Sequence, residues 1–217
     1  MFKKILFFCV ILCSILSCKK EKIRKTYTKI ITAPGPEDIV LDKTYNRILV
    51  SCDERRDGRT PHGEIQQIRF DTNKSTVLPL LNLPAIPFHP HGFDLQIVNN
   101  TPYLYVINHY KDGSNISSVI QFKINADNLE FIKEYKHPLL ISPNDLTVLS
   151  NGSFYFSNDK NSADILELLT NPKGGSVGYC DGNYTWKKAD SIIAFPNGLY
   201  NENNKLYLAT SRNFALF

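Results

Sequence analysis

At 217 residues, 42% hydrophobic and 12% aromatic, the chain has enough apolar material for one sizeable core or two small ones. Its formal charge is +4, and Lys3 and Lys4 lie in a leader-like segment that carries no acid, so the remainder holds only +2. That balance, without aromatics interleaved among basic patches, argues against a nucleic-acid partner.

Met1-Phe2-Lys3-Lys4 is a short basic start, and Ile5 to Leu16 is an almost unbroken apolar run ending at Ser17-Cys18. The run falls short of the ~20 apolar residues that span a bilayer and has the form of a secretory signal over residues 1–17. A small residue directly before the cysteine is similar to a bacterial lipobox. That similarity implies cleavage ahead of Cys18, acylation of Cys18 and an exported, cell-envelope lipoprotein, periplasmic or outer-membrane-associated. A plain signal peptide or an uncleaved anchor is the alternative. Residues 18–32, with "KKEKIRKTYTK" from Lys19 to Lys29, read as a polar tether to the folded part. Of five cysteines, Cys9 and Cys13 leave with the signal and Cys18 is the lipid site, so Cys52 and Cys180 remain. Export permits a disulfide between them, but spacing alone does not establish one.

From residue 33 onward the chain repeats itself. Pro36-Glu37-Asp38-Ile39, Pro90-His91-Gly92-Phe93, Pro143-Asn144-Asp145-Leu146 and Pro196-Asn197-Gly198-Leu199 share one pattern, with prolines 54, 53 and 53 residues apart. After each come an apolar alternation, a turn and a returning apolar run. The turns are "DKTYN", "NNTP", "SNGS" and "NENN"; the returning runs are "RILVSCD", "YLYVINH", "FYFSND" and "KLYLATS". These are hairpin signals. Further strands are expected at 63–71, 117–125 and 129–136. No stretch beyond the leader keeps a helical period for three turns, so the chain is all-β with about four strands per repeat. Such units at this spacing are the mark of a β-propeller. The fourth repeat carries only its first hairpin, so residues 33–217 read as a partial propeller of about three and a half blades, the front portion of a longer protein.

Equivalent positions in successive blades take equivalent places around the axis, so Glu37, His91, Asn144 and Asn197 are expected to converge on it. Glu and Asn oxygens are hard donors suited to Ca²⁺, which takes about 6–8 of them. With the second turn centred between Asn100 and Thr101, His91 is expected opposite His109 or Tyr110. The same arithmetic sets Asn144 and Asp145 near Asn158 and Asp159.

Together, "GPEDIVL", "FHPHGFDL", "LYVINH", "SPNDLTVLSNGSFYFSND" and "FPNGLY" resemble the arylesterase/paraoxonase family, and more distantly the gluconolactonases of the senescence-marker type. The resemblance runs from about residue 33 to 211. It implies a six-bladed propeller with two calcium ions in its tunnel, hydrolysing lactones and aryl esters. Glu37, Asn144 and Asn197 match the catalytic-calcium ligands. Asp38 and Asp145 match the second, structural calcium, joined by the backbone carbonyl of Phe93. His91 and His109 match the pair given general-base work. The family's catalytic calcium also takes an Asp-Asn pair from a later blade, which this sequence does not contain.

The expected function is therefore calcium-dependent hydrolysis of small esters or lactones, impaired in this chain by the missing blades, with a non-catalytic, lipid-anchored propeller binding module or a pseudoenzyme fragment as the alternative. Plainer roles stand beside these assignments. Glu37 could be a solvated turn residue, the two Asn and Asp145 turn partners, and His91 a hydrogen-bonded core residue. His89 with His91 could form a His-x-His zinc pair, but the in-phase partners are oxygen donors rather than nitrogen or sulfur. His62 and His137 are out of phase and expected at the surface, and Trp186 is expected in blade packing.

Overall fold

The computed structural model describes residues 27–60, 62–110, 117–160 and 174–211. The expected leader, Cys18 and most of the tether lie outside them. All regular structure among the described residues is strand. The first sheet holds β1 (Pro36–Asp42), β2 (Arg47–Glu54), β3 (His62–Arg69) and β4 (Ser75–Val77) in sequence order. The second runs β6 (Pro90–Val98), β7 (Thr101–His109), β8 (Ser117–Ile124), β9 (Leu129–Tyr135), then β5 (Leu80–Leu81) parallel to β9 at its edge. The third contains β10 (Pro143–Val148), β11 (Phe154–Asn158), β12 (Gly175–Cys180) and β13 (Trp186–Ile193); β14 (Pro196–Glu202) pairs with β15 (Lys205–Thr210). These are propeller blades, with β1, β6, β10 and β14 as neighbouring inner strands.

The hairpin turns follow from their residues. Asn99-Asn100 and Asn203-Asn204 all have positive φ, between 49° and 62°. Two such central residues form the turn whose twist matches the flanking strands, and Asn tolerates that region better than most residues. The second turn therefore centres between Asn99 and Asn100, with Val98 facing Thr101, one residue earlier than expected from sequence.

Successive sheets pack face to face because strand side chains alternate. On β7, Leu104 and Val106 enter a core shared with Leu49 and Ile65 of the first sheet. Tyr105 and Ile107 point the other way, into a core with Leu146, Phe154 and Phe156 of the third. A continuous apolar run thus serves two interfaces. Trp186 packs at the edge of this second core, with ring contacts to Phe154, Phe156 and Tyr135. Cys52 and Cys180 are both buried free thiols, in β2 and β12, so the disulfide that export would permit is not formed. Far along the first hairpin, the fully buried Arg47 pairs with Asp42 at 2.8 Å and donates to the Asn125 and Ala126 carbonyls of the second blade.

Carboxylates join the inner strands. Asp38 accepts the Phe93 N–H at 3.0 Å, Asp94 accepts the Val148 N–H at 2.8 Å, and Asp145 accepts the Leu199 N–H at 2.6 Å. Each crosses to the next blade. The alternation of Asp and Gly in the repeat has a steric cause here. A Cβ on Gly92 would run into the Asn144 carbonyl oxygen and lie 2.7 Å from the Asp145 Cα, whereas one on Gly198 would meet nothing nearer than 3.7 Å. We therefore expect Gly92→Ala to cost about 1–3 kcal/mol through overpacking and Gly198→Ala to be close to neutral, measured by chemical denaturation.

Candidate active site

In all four blades the inner strand begins with a proline and then breaks register with its partner: between Pro36 and Asp38, Pro90 and Phe93, Pro143 and Leu146, and Pro196 and Leu199. Proline has no N–H to give the ladder. The residue before it supplies the closing carbonyl instead, with Asp53 N–H bonded to Gly35, His109 to His89, Asp159 to Ser142 and Ser211 to Phe195. A bulge turns its residues away from the plain alternation of the strand. Those residues are the ones singled out from sequence, and they line one cavity of about 330 Å³: Glu37, Asp38, His91, Gly92, Asn144, Asp145, Asn197 and Gly198.

The bulge corrects the expected pairing by a residue while preserving the neighbourhood. Pro90, not His91, faces Asn108. The His91 and His109 rings nevertheless approach to 5.1 Å between centroids. His109 Nδ1 is 3.0 Å from the Ser117 hydroxyl, which fixes its ring. In the third blade Asn158 faces Pro143, and the Asp145 N–H donates to the Ser157 hydroxyl oxygen. Asn158 does not reach the cavity; it accepts the Ile141 and Ser142 N–H groups and donates to the Leu139 carbonyl. Asn108 does the same in the second blade, accepting from His89 N–H and donating to Pro87. Both pin the segment that leads into an inner strand. Asp159 is also outside the cavity lining. Phe93 reaches the site through its N–H on Asp38, while its ring lies in the core between the first two sheets. His62 is exposed beside Glu64, and His137 stacks on Trp186 at 4.7 Å with the rings nearly parallel.

Three residues join the site that the repeat pattern did not single out. Buried His89, 8% exposed, puts Nδ1 2.8 Å from Asp53 Oδ1. Arg55 donates Nε to the other Asp53 oxygen at 2.8 Å, and its terminal nitrogens reach Glu37 at 3.3 Å and His91 Nδ1 at 2.7 Å. The zinc pair weighed for His89 and His91 does not form: His89 turns to a carboxylate behind the cavity while His91 faces into it. A signal was present. Asp53 lies near the end of its hairpin's second strand as His109 does, each closing on the residue before an inner-strand proline, so it belongs to the same ring of repeat positions.

The donor chemistry is that of a hard cation. Glu37, Asp38 and Asp145 supply carboxylates and Asn144 and Asn197 amides, all on one cavity. Among the described residues no group of three His, Cys, Asp or Glu side chains forms a metal-binding cluster, so a cation here would depend on the Asn oxygens. The electrostatics agree with that chemistry. Burial pushes the Asp38 carboxyl up, against the pull of the Phe93 and Ile39 N–H groups. Burial, followed by the charges of Asp38 and Asp94, raises Asp145 from 3.8 to about 7, and burial raises Asp94 to about 6. Like charges crowded in a desolvated place resist ionisation together.

A family model described as Arylesterase matches residues 62–214. Human serum paraoxonase/arylesterase 2 is 35% identical over 101 residues, 44% of this chain and 28% of that protein. Human serum paraoxonase/lactonase 3 is 40% identical over 73 residues, 33% of this chain and 20% of that protein. The matched stretches thus span under a third of these relatives' length. A gluconolactonase structure from Xanthomonas campestris superposes with a TM-score of 0.53 at 14% identity, over 81% of this chain and 54% of that one, a likeness of fold.

The raised carboxyls set a sign for pH dependence. A carboxyl whose pKa is higher folded than unfolded favours the fold while protonated; that contribution is full below the ordinary value near 3.8 and is lost as pH rises through the shifted one. We expect the metal-free protein to lose thermal stability from about pH 4 to about pH 7, and Asp145→Asn to flatten that profile. A wild-type melting temperature that climbs over the same range would contradict the assignment.

Proposed function

Because the chain belongs to the arylesterase family, we propose that it takes part in calcium-dependent hydrolysis of small carboxylic esters and lactones. The observation that carries the reading is the shared cavity of Glu37, Asp38, Asn144, Asp145, Asn197 and His91. Glu37, Asn144 and Asn197 would hold the catalytic calcium, and Asp38 and Asp145 the second ion with the backbone at Phe93. Calcium in that place supplies Lewis-acid polarisation of a carbonyl and stabilisation of the charge that develops on its oxygen.

The chain's own groups divide the remaining work. His91, at the cavity wall beside the carboxylates, takes a proton from the attacking water. Imidazole is the side chain most often used for that task, since it can take up and release a proton near neutral pH. His109, 5.1 Å away ring to ring and fixed at Ser117, is placed to pass that proton outward. The half-enclosed cavity admits a small acyl or lactone carbonyl and keeps it among oxygen donors. Export and lipid attachment at Cys18 complete the proposal and put the site at the cell envelope.

With phenyl acetate and γ-lactones as substrates, we expect chelation of calcium to abolish turnover and His91→Gln to lower kcat by about 10²–10⁴. Turnover that survives both would contradict the reading, and calcium binding without turnover would support the binding-module alternative. Lipid labelling that is lost in Cys18→Ala tests the anchor separately.

A further inference from the structure

Arg55 sits where a metal's charge would be needed. Its guanidinium is held from behind: Asp53, 1% exposed, spends one oxygen on Arg55 Nε and the other on His89 Nδ1. The backbone of that brace is tied as well, Asp53 N–H to Gly35 and His89 N–H to the Asn108 side chain. Glu54 and Arg56 pair with each other and leave Arg55 to the cavity side. From this mount one terminal nitrogen meets the Glu37 carboxylate at 3.3 Å and the other the His91 Nδ1 at 2.7 Å.

A guanidinium has only donors and keeps its proton in proteins. The 2.7 Å contact therefore makes His91 Nδ1 an acceptor, which places the imidazole proton on Nε2. Glu37 also lies 3.3 Å from the same Nδ1. That atom cannot accept from Arg55 and donate to Glu37 at once, so the two contacts are alternatives and the arginine decides between them.

We propose that Arg55, braced by Asp53 and His89, is an internal cation of this site: without metal it neutralises Glu37 and locks His91 in the Nε2–H tautomer, and a divalent cation must displace it from Glu37. The displacement half rests on the calcium reading above; the tautomer half does not. The consequence is a set point, since the affinity for calcium includes the cost of separating Arg55 from Glu37. Side chains about one-third exposed make this a screened pair, so the effect is moderate.

Long-range ¹H–¹⁵N spectra of the full chain at about pH 8.5, with His91 assigned by its loss in His91→Gln, read the tautomer directly. We expect Nε2–H in metal-free wild type and a shift to Nδ1–H, donating to Glu37, in Arg55→Met. A wild-type Nδ1–H tautomer would overturn the proposal without any variant. Calorimetric titration with calcium chloride should show about 2- to 5-fold tighter binding by Arg55→Met, with Arg55→Lys, which keeps the charge, between it and wild type. Equal or weaker binding by Arg55→Met would overturn the displacement half alone. Absence of calcium binding in every form would contradict the metal reading, and the displacement with it, while the tautomer result would still decide whether Arg55 governs His91.

Discussion

The bulge behind each proline is the constraint on which the rest of this molecule depends. Proline opens every inner strand because the position needs no N–H, and the closing bond comes from the residue before it. The register then slips in all four blades at the next residues. An unbroken strand would send neighbouring side chains alternately to its two faces, and Glu37 and Asp38, or Asn144 and Asp145, would part company. The bulge lets both members of each pair line one cavity.

The same carboxylates that face the cavity hold the blades together. Asp38 and Asp145 each accept an N–H from the following inner strand; in the second blade, where Gly92 leaves room for Asp145, Asp94 does so from two residues further along, outside the cavity. Negative charge at the axis is therefore a product of how the blades assemble. Burial raises these carboxyls, and their mutual repulsion adds to it. A hard cation, if bound as proposed, would relieve that repulsion. Arg55 meets part of the need from within the chain, at Glu37.

What the sequence made legible was what repeats. The prolines, the polar residue after each and the Asp-or-Gly alternation recur every 53 or 54 residues, and they mark the cavity wall. The hairpin turns were legible through their Asn residues, with the second misplaced by one because both Asn99 and Asn100 are left-handed. Arg55 was not legible, since it belongs to one blade only and acts through a brace, Asp53 with His89, that pairs residues 36 apart across two blades. His89 stands one residue ahead of the proline and does not line the cavity; it bonds Asp53 behind the wall. The parallel strand β5 was hidden as well, being two residues that pair with β9 across a sequence separation of 49.

On the proposed reading this oxygen-lined, carboxylate-crowded cavity holds a hard cation. Proton release on calcium binding tests it most directly, because only a cation that meets the raised Asp145 carboxyl will expel its proton. Calorimetry in buffers of differing ionisation enthalpy should show calcium uptake releasing protons at about pH 6 and almost none at about pH 8.5, with the release diminished in Asp145→Asn. Calcium binding that releases no proton at the lower pH, or the same number at both, would contradict the claim.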